Sequence, residues 1–95
     1  MKICVQGLGY VGATTALILA GEQKNGVPLF KVFGLENKSK TGVERAKMLN
    51  RYIFPFKSAD KDIGSYLKKI KKKGNLKTTT DKKVLNNVEV VIVSL

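Results

Sequence analysis

Histidine is absent from this sequence of 95 residues, and cysteine occurs only once, as Cys4. The first absence excludes histidine-based catalysis and histidine metal ligands. A single cysteine cannot form an internal disulfide, which is typical of the reducing cytoplasm. With so few acidic residues, a structural metal site is not expected either. Because Cys4 lies within an apolar strand pattern, we expect a buried structural thiol rather than a nucleophile.

Long hydrophobic runs and negative charge are also scarce. No apolar stretch approaches the roughly 20 residues that cross a bilayer, so no membrane-spanning segment is expected. The first predicted strand begins at Lys2 or Ile3, which leaves no room for a signal peptide before it. Only 7 acidic residues oppose 18 lysines and arginines, for a net charge of +11. This balance is compatible with nucleic acid or an acidic membrane surface as a partner.

The densest basic stretch consists of six lysines: Lys68, Lys69, Lys71, Lys72, Lys73 and Lys77. One interpretation is a site for a phosphate backbone. The other is the solvated face and C-terminus of a helix, where cations interact favourably with the helix dipole. We favour the second, because the cluster has no interleaved aromatic residues and no nucleic-acid motif accompanies it.

A glycine-rich turn at residues 7–12 joins an apolar run, residues 3–5, to a helical pattern over residues 10–24. Strand, glycine turn and helix in this order are what a dinucleotide-binding turn requires. Gly7 would let the chain leave the strand, Gly9 would leave room for a pyrophosphate, and Gly12 would let the helix pack closely on the strand. The bare spacing also fits an ordinary glycine-rich turn. Its flanking elements favour the dinucleotide site, with helix amides facing the anion.

Glu36 is the second informative residue. It follows an apolar run at residues 30–35, the second predicted strand, and lies 24 positions after Gly12. In a dinucleotide-binding unit, an acidic residue about 20 positions after the glycines accepts hydrogen bonds from the adenosine ribose. A predicted loop at residues 22–28 explains why Glu36 lies farther from the glycines than this expected separation. The alternative is a solvated loop carboxylate, which the preceding apolar strand disfavours.

Two further helices follow. Ser39 should cap a helix over residues 43–50, with Gly42 unexpectedly close to its start. Ser58 or Asp60 should cap a third helix, which Gly74 ends. Four apolar residues at helical spacing form the buried stripe of that helix: Ile63, Tyr66, Leu67 and Ile70.

The segments between and after these helices complete the pattern. The aromatic, proline-containing residues 51–56 predict an ordered loop packed against the rest of the chain. Residues 76–79 predict an edge strand, and Asp81 should cap a short helical turn through Leu85. Residues 88–94 form a continuous apolar run, which is typical of a buried parallel strand.

Together these elements predict an α/β fold: a partial Rossmann-type open parallel sheet with strand order 3-2-1-4, right-handed crossovers and flanking helices. Ninety-five residues form one small domain at most, here residues 1–95. The fourth strand would then be an edge with exposed apolar residues. We therefore predict poor solubility or self-association for the 95 residues alone.

The glycine turn reads Gly-Leu-Gly-Tyr-Val-Gly, and this form, so close to the N-terminus, resembles the UDP-glucose/GDP-mannose dehydrogenase family of nucleotide-sugar dehydrogenases. Residues 43–50 followed by 54–56 resemble that family's second helix and proline loop. Residues 74–81 resemble its third strand and the Thr-Asp that follows, and residues 89–94 resemble its fourth strand. The resemblance covers essentially the whole chain.

This resemblance implies part of the NAD-binding domain of an enzyme that oxidises the C6 alcohol of a nucleotide sugar twice, to a carboxylate. It implies a cytoplasmic full-length enzyme with a separate sugar-nucleotide domain, which we expect to be a homo-oligomer. The family's catalytic cysteine and lysine lie well downstream. No catalytic residue is therefore expected within residues 1–95, and the chain should be an inactive fragment. Cys4, in the first strand, cannot be that cysteine.

The implied NAD site comprises the turn, the acidic residue and one basic residue: Gly7, Leu8, Gly9, Tyr10, Val11, Gly12, Glu36 and Lys40. Backbone N–H groups of residues 8–11 would hold the pyrophosphate. Glu36, where the family more often has Asp, would hold the ribose and favour NAD over NADP, a preference that Lys38 and Lys40 weaken. Lys40 and Thr41 are both candidates for the family's basic position. The alternatives are another NAD or flavin oxidoreductase and a basic nucleic-acid-binding module.

Overall fold

The computed structural model describes residues 1–57 and 60–94 and contains a four-stranded parallel sheet. Its strands are β1 (Lys2–Gln6), β2 (Lys31–Leu35), β3 (Leu76–Thr79) and β4 (Val90–Val93). Their spatial order is β3-β2-β1-β4, which confirms the predicted order 3-2-1-4. All three pairings are parallel. The carboxyl ends of the strands therefore meet at one edge of the sheet, where the glycine turn begins.

Within the described residues, three α-helices accompany the sheet: α1 (Tyr10–Gly21), α2 (Lys40–Asn50) and α3 (Asp62–Lys73). Helix α1 contacts both the sheet and α3, so it is apolar on nearly all sides. The predicted stripe of α3 is confirmed, with Ile63 and Ile70 buried and Tyr66 and Leu67 packed against the core. The buried core unites strand, turn and helix residues: Val5, Leu8, Ala13, Ala16, Leu17, Ala20, Val32, Leu49, Ile63, Ile70 and Leu76.

Helix α1 is shorter than predicted, and the prediction that it extends to residue 24 is wrong. Glu22 is extended, with φ −70° and ψ 126°, because the next residues form a hairpin in which Gln23–Lys24 pairs antiparallel with Val27–Pro28. Asn25 and Gly26 have φ of 54° and 77°, as a type I′ turn requires. The predicted loop is thus a small hairpin, and β2 starts one residue later than predicted.

Helix α2 begins at Lys40, three residues before the predicted start. Ser39 caps it as predicted, because its Oγ accepts a hydrogen bond from the Gly42 N–H at 3.1 Å. A Cβ on Gly42 would collide with the Asn37 carbonyl oxygen and lie 2.7 Å from Cγ of Glu36. Glycine therefore lets the first turn of α2 pack against the segment that carries Glu36.

Asp60, Gly74 and Asp81 lie at the boundaries of the helices in the second half of the chain. Oδ1 of Asp60 accepts a hydrogen bond from the Asp62 N–H at 2.9 Å at the start of α3, whereas Ser58 lies outside the described residues. Gly74 ends α3 as predicted, with a left-handed φ of 66°. Asp81 caps a 3-10 helix, Lys82–Asn87, that extends two residues beyond the predicted turn.

The two edges of the sheet differ. On β3, the Asn50 side-chain amide donates to the Thr78 carbonyl at 2.9 Å and accepts from the Thr78 N–H at 2.8 Å, so it pairs the backbone of this edge residue as a neighbouring strand would. On β4, which is shorter than the predicted residues 88–94, Val90, Val91 and Val93 are exposed. The apolar run of the fourth strand is therefore an exposed edge in this structure.

Candidate functional site

The turn between β1 and α1 contains three glycines whose surroundings differ. Gly7 has a left-handed φ of 95°, and a Cβ there would collide with the Ser94 carbonyl oxygen. A Cβ on Gly12 would collide with the Gly7 carbonyl oxygen. At Gly9, by contrast, no atom lies within 4 Å of the Cβ position. Gly7 and Gly12 thus serve the fold, while Gly9 leaves the backbone open to a ligand.

The start of α1 suits an anion. No side chain caps it, and its first turn contains no acidic residue. Ser39 caps α2, and α3 has Asp62 in its first turn. The first N–H groups of any helix lack partners within the helix and lie at the positive end of its dipole. Among the three α-helices of the described part of the chain, α1 therefore offers the start best suited to a pyrophosphate.

Glu36 directly follows β2, and its carboxylate lies against the turn. Oε2 accepts a hydrogen bond from the Leu8 N–H and Oε1 accepts one from the Asn37 N–H, both at 3.0 Å. Its side chain is only 9% exposed, so it is not a freely solvated loop carboxylate. The Leu8 amide, predicted as a pyrophosphate donor, is bonded to the acid instead, and the Leu8 side chain is in the core.

Arg45 on α2 also contacts Glu36, and the sequence did not predict this contact. Its Nη1 lies 3.5 Å from Oε2 of Glu36. Its Cζ lies 5.0 Å from the centroid of the Phe56 ring, a cation–π contact. Arg45 is nine positions from the acid, on a different element, and no spacing rule connects the two residues.

The aromatic segment 51–56 packs beside the turn, as predicted for an ordered loop. The Tyr10 ring lies 5.7 Å from that of Phe54 and 5.8 Å from that of Phe56, both edge-on. Phe54 and Phe56 also contact each other at 5.6 Å. The first residue of α1 is thereby attached to the same loop that supports Arg45.

A cleft of about 150 Å³ lies at the carboxyl ends of β1, β2 and β4. It is lined by the last residue of each of these strands, by the residues that directly follow them and by the first residue of the 3-10 helix: Gln6, Gly7, Leu35, Glu36, Asn37, Lys82, Val93 and Ser94. Ligands of open α/β sheets bind at this edge, where the strand order reverses. A larger cavity of about 550 Å³ borders β3 but includes neither the turn nor Glu36, so we place the candidate site in the smaller cleft.

The structure brings some predicted site residues together and not others. Gly7 and Glu36 line the cleft, and the Leu8 amide donates to Glu36, but residues 8–12 of the turn are not among the cleft-lining residues. Lys40 is the exposed first residue of α2 and is not among the cleft-lining residues. Asn37, Lys82 and Ser94 line it without having been predicted. For Ser94 a signal existed, since it ends the fourth predicted strand and the carboxyl ends share one edge.

The Cys4 thiol and the lysines of α3 are not among the cleft-lining groups. Cys4 is fully buried, and burial raises the pKa of its thiol. The lysines of α3 are exposed in its second half and last turn. Within the described residues, no three His, Cys, Asp or Glu side chains are grouped to hold a metal ion. In the same part of the chain, no helix has the length and apolar character to cross a membrane.

Comparison with models of protein families identifies the family of this chain. Residues 1–95 match the family described as the UDP-glucose/GDP-mannose dehydrogenase family, NAD binding domain. None of the curated proteins compared matches the chain significantly.

Solved structures give the same match. The chain is similar to an NDP-N-acetyl-D-galactosaminuronic acid dehydrogenase from Methanosarcina mazei Go1, with 29% identity and a TM-score of 0.82 over 99% of the chain. It is also similar to a GDP-mannose dehydrogenase from Pseudomonas aeruginosa (27% identity, TM-score 0.77) and a UDP-D-ManNAc dehydrogenase from Pyrococcus horikoshii (28%, 0.76), each over 100% of the chain. It spans only 19%, 19% and 20% of these three structures, respectively.

Proposed function

Because this chain belongs to the UDP-glucose/GDP-mannose dehydrogenase family, as its NAD-binding domain, we propose that it holds the adenosine diphosphate part of NAD in a nucleotide-sugar dehydrogenase. The observation that carries this proposal is the contact between the glycine turn and the acid, in which the Leu8 N–H donates to Glu36 at 3.0 Å. The residues that would meet a pyrophosphate and those that would meet a ribose are thereby adjacent.

Each part of the site has a chemical role in this proposal. The open backbone at Gly9 and the uncapped start of α1 bind the pyrophosphate. Glu36 accepts hydrogen bonds from the adenosine ribose, and its negative charge disfavours the 2′-phosphate of NADP. Lys40 is exposed at the start of α2 and supplies positive charge close to that end of the cofactor.

We assign a nucleotide sugar as the substrate of the whole enzyme, because the names of the three dehydrogenases described above each contain such a compound. In the whole enzyme, two successive two-electron oxidations would convert the sugar C6 alcohol to a carboxylate; each would deliver one hydride to one NAD molecule, and water would supply the second carboxylate oxygen. The described part of this chain has no accessible thiol, since Cys4 is fully buried. We therefore propose that residues 1–95 alone bind cofactor without catalysing oxidation, and that mixing them with UDP-sugars and NAD yields no NADH absorbance.

Calorimetric titration with NAD tests the cofactor role. Glu36→Ala should weaken NAD binding about 10- to 100-fold, because hydrogen bonds to a charged group contribute about 1.5–3 kcal/mol. Glu44→Ala is the matched control: it removes the same charge from an exposed position on α2 and should change affinity less than about twofold. Far-UV circular dichroism checks that both variants keep the fold.

Equal NAD affinity for wild type and Glu36→Ala would contradict the proposed ribose contact. Salt-sensitive DNA binding that Glu36→Ala leaves unchanged, without NAD binding, would support the basic nucleic-acid module instead. A yellow, flavin-containing preparation would support a flavoprotein.

A further inference from the structure

Two cavities away from the cofactor cleft lie beside α3, β3 and the residues that follow α2. Their volumes are about 290 and 550 Å³, and Tyr52 lines both, so the cavities adjoin at this residue. Together they form the Tyr52 groove. Neither cavity is lined by the glycine turn or by Glu36, so the groove is separate from the site proposed for NAD.

The charged residues that line the Tyr52 groove are mainly cations. Arg51, Lys68 and Lys71 line the smaller cavity and Lys77 lines the larger one. Among the described residues, Asp81 is the one acid in the lining, and its side chain already caps the 3-10 helix. In the same part of the chain, no acidic side chain forms an ion pair with any of the four cations. Their positive charge is therefore available to an anionic ligand.

Helix α3 presents one face to the smaller cavity. Gly64, Leu67, Lys68 and Lys71 line it, and these positions recur at the i, i+3, i+4, i+7 spacing of a single helix face. No atom lies within 4 Å of the position of a Cβ on Gly64, so the face is open there. Residues 51–77 contain nine lysines and arginines and two acidic residues. The positive charge thus extends along the groove, as a chain of phosphates would require.

Aromatic residues line the same groove, although none is interleaved with the lysine cluster in the sequence. Phe33 comes from β2 and Tyr52 from the segment after α2. The Lys31 Nζ lies 5.5 Å from the centroid of the Phe33 ring, which adds a further cation beside it. A groove that combines cations with aromatic residues is typical of proteins that bind single-stranded nucleic acid, in which bases stack on rings and phosphates meet cations.

The structure favours this ligand over a membrane or a duplex. A helix that lies on a membrane needs apolar side chains on the face that meets lipid. Within α3, all of which the structure describes, no large apolar side chain is exposed, and Ile63 and Ile70 are buried in the core. In a duplex, the faces of the bases are stacked on one another and cannot reach Tyr52 or Phe33.

We propose that the Tyr52 groove is a binding site for single-stranded nucleic acid. Its four cations contact successive phosphates, and Tyr52 and Phe33 provide surfaces for unpaired bases. Contacts to phosphates and to the faces of bases carry little sequence information, so the site has little base preference. The inference goes beyond the proposed cofactor role and does not depend on it.

Fluorescence anisotropy of a labelled oligo(dT) of about 15 nucleotides tests the proposal with the whole 95-residue chain. The logarithm of the affinity should fall with the logarithm of the salt concentration with a slope of about −3, because each phosphate contact contributes about −0.7 on a single strand. Lys68→Gln combined with Lys71→Gln should reduce the slope to about −1.4. Tyr52→Leu should keep the slope and weaken binding about 5- to 150-fold, the effect of losing one stacked base.

Matched controls separate the groove from general positive charge. Lys2→Gln combined with Lys24→Gln removes the same charge from exposed positions that line neither cavity, and it should change the affinity less than about twofold at physiological salt. Because Tyr52 also packs against the core, circular dichroism checks the fold of its variant, and Phe33→Leu is a second test of stacking with the same expected loss.

Three results would overturn the inference. The first is an equal loss of affinity in the two lysine double variants. The second is unchanged affinity in the folded aromatic variants. The third is a duplex of the same length that binds as tightly as the single strand. Binding to phosphatidylserine vesicles without binding to oligo(dT) would also overturn it, in favour of a membrane surface.

The failure of this inference is distinguishable from that of the proposed function. Glu36→Ala should leave the affinity for oligo(dT) unchanged, and saturating NAD should not displace the oligonucleotide. Protein that binds NAD but not oligo(dT) overturns the role of the groove alone. Protein that binds oligo(dT) through the groove but does not bind NAD contradicts the proposed function alone. Displacement of oligo(dT) by NAD would place it in the cofactor cleft and overturn the inference.

Discussion

Alanine substitution at Gly12 and at Gly64 should change the stability of this domain in opposite directions, although both glycines lie in α-helices. A Cβ on Gly12 would overlap the Gly7 carbonyl oxygen and lie 2.9 Å from its carbonyl carbon, both backbone atoms. A Cβ on Gly64, in α3, meets nothing within 4 Å. The same chemical change is therefore a clash in one helix and harmless in the other.

The magnitudes follow from two opposing effects. Alanine is favoured over glycine within a helix by about 0.8–1.0 kcal/mol, so Gly64→Ala should raise the free energy of unfolding by up to about 1 kcal/mol. Gly12→Ala has the same gain, but overpacking costs about 1–3 kcal/mol, and no rotamer change can move a backbone carbonyl aside. Because the overlap is with backbone atoms, we take the upper end of this range and expect a net loss of about 2 kcal/mol, and thus a difference of about 3 kcal/mol between the variants.

Urea denaturation followed by far-UV circular dichroism measures this difference. The two variants should have the same m-value and different midpoints, which would attribute the change to stability rather than to altered compactness. In thermal unfolding, the melting temperatures should differ by at least about 12 °C, since each 1 kcal/mol corresponds to about 4–8 °C at this size. If Gly12→Ala is as stable as wild type, the close packing of α1 on the turn is refuted.

Three further predictions concern other parts of the chain. Gly9→Ala should cost less than about 1 kcal/mol of stability, as the loss of a glycine cap does, yet weaken NAD binding at least about tenfold in calorimetry, because its Cβ would enter the open space above the backbone. Burial raises the pKa of the Cys4 thiol above its ordinary 9.0, so as pH rises the thiol loses its proton in the unfolded chain before it does in the folded one. The free energy of unfolding, measured by urea denaturation, should therefore fall as pH rises above about 9, and it should fall less in Cys4→Ala. The 95 residues alone should sediment as concentration-dependent oligomers through the exposed edge of β4, and Val91→Lys should shift them towards monomer; a concentration-independent wild-type monomer would contradict this.

Much of the fold follows from local pattern. The apolar runs, the glycine spacing and the caps at Ser39 and Asp81 predict the strands and helices, because each such signal lies within a few adjacent residues. The strand order follows from the Rossmann-type sequence of these elements, whose crossovers are right-handed. The hairpin at residues 23–28 was not predicted, since two-residue strands are too short to show alternation. The extent of α1 was overestimated for the same reason, because Gln23 and Lys24 carry no signal that separates a last helical turn from a short strand.

The site was less predictable than the fold. Gly7, Gly9 and Gly12 have roles that can be inferred from sequence because they act on the backbone of one turn. Arg45 depends on where α2 packs relative to β2 and on which ring of the aromatic loop lies beneath it. Such a contact arises from tertiary structure alone, and a helix of similar sequence in another packing would direct this side chain to solvent.

The contacts around the turn form a closed chain of residues that begins and ends at the turn. The buried Leu8 donates its amide to Glu36, Glu36 pairs with Arg45, and Arg45 lies over Phe56. Phe56 contacts Tyr10, which is two residues after Leu8 in the chain. Because each member positions the next, folding orders the groups that would meet the cofactor before it arrives, and binding loses less conformational entropy. Removing the Phe56 ring should therefore weaken NAD binding even though Phe56 does not line the cleft, since Arg45 and Tyr10 would both lose their support.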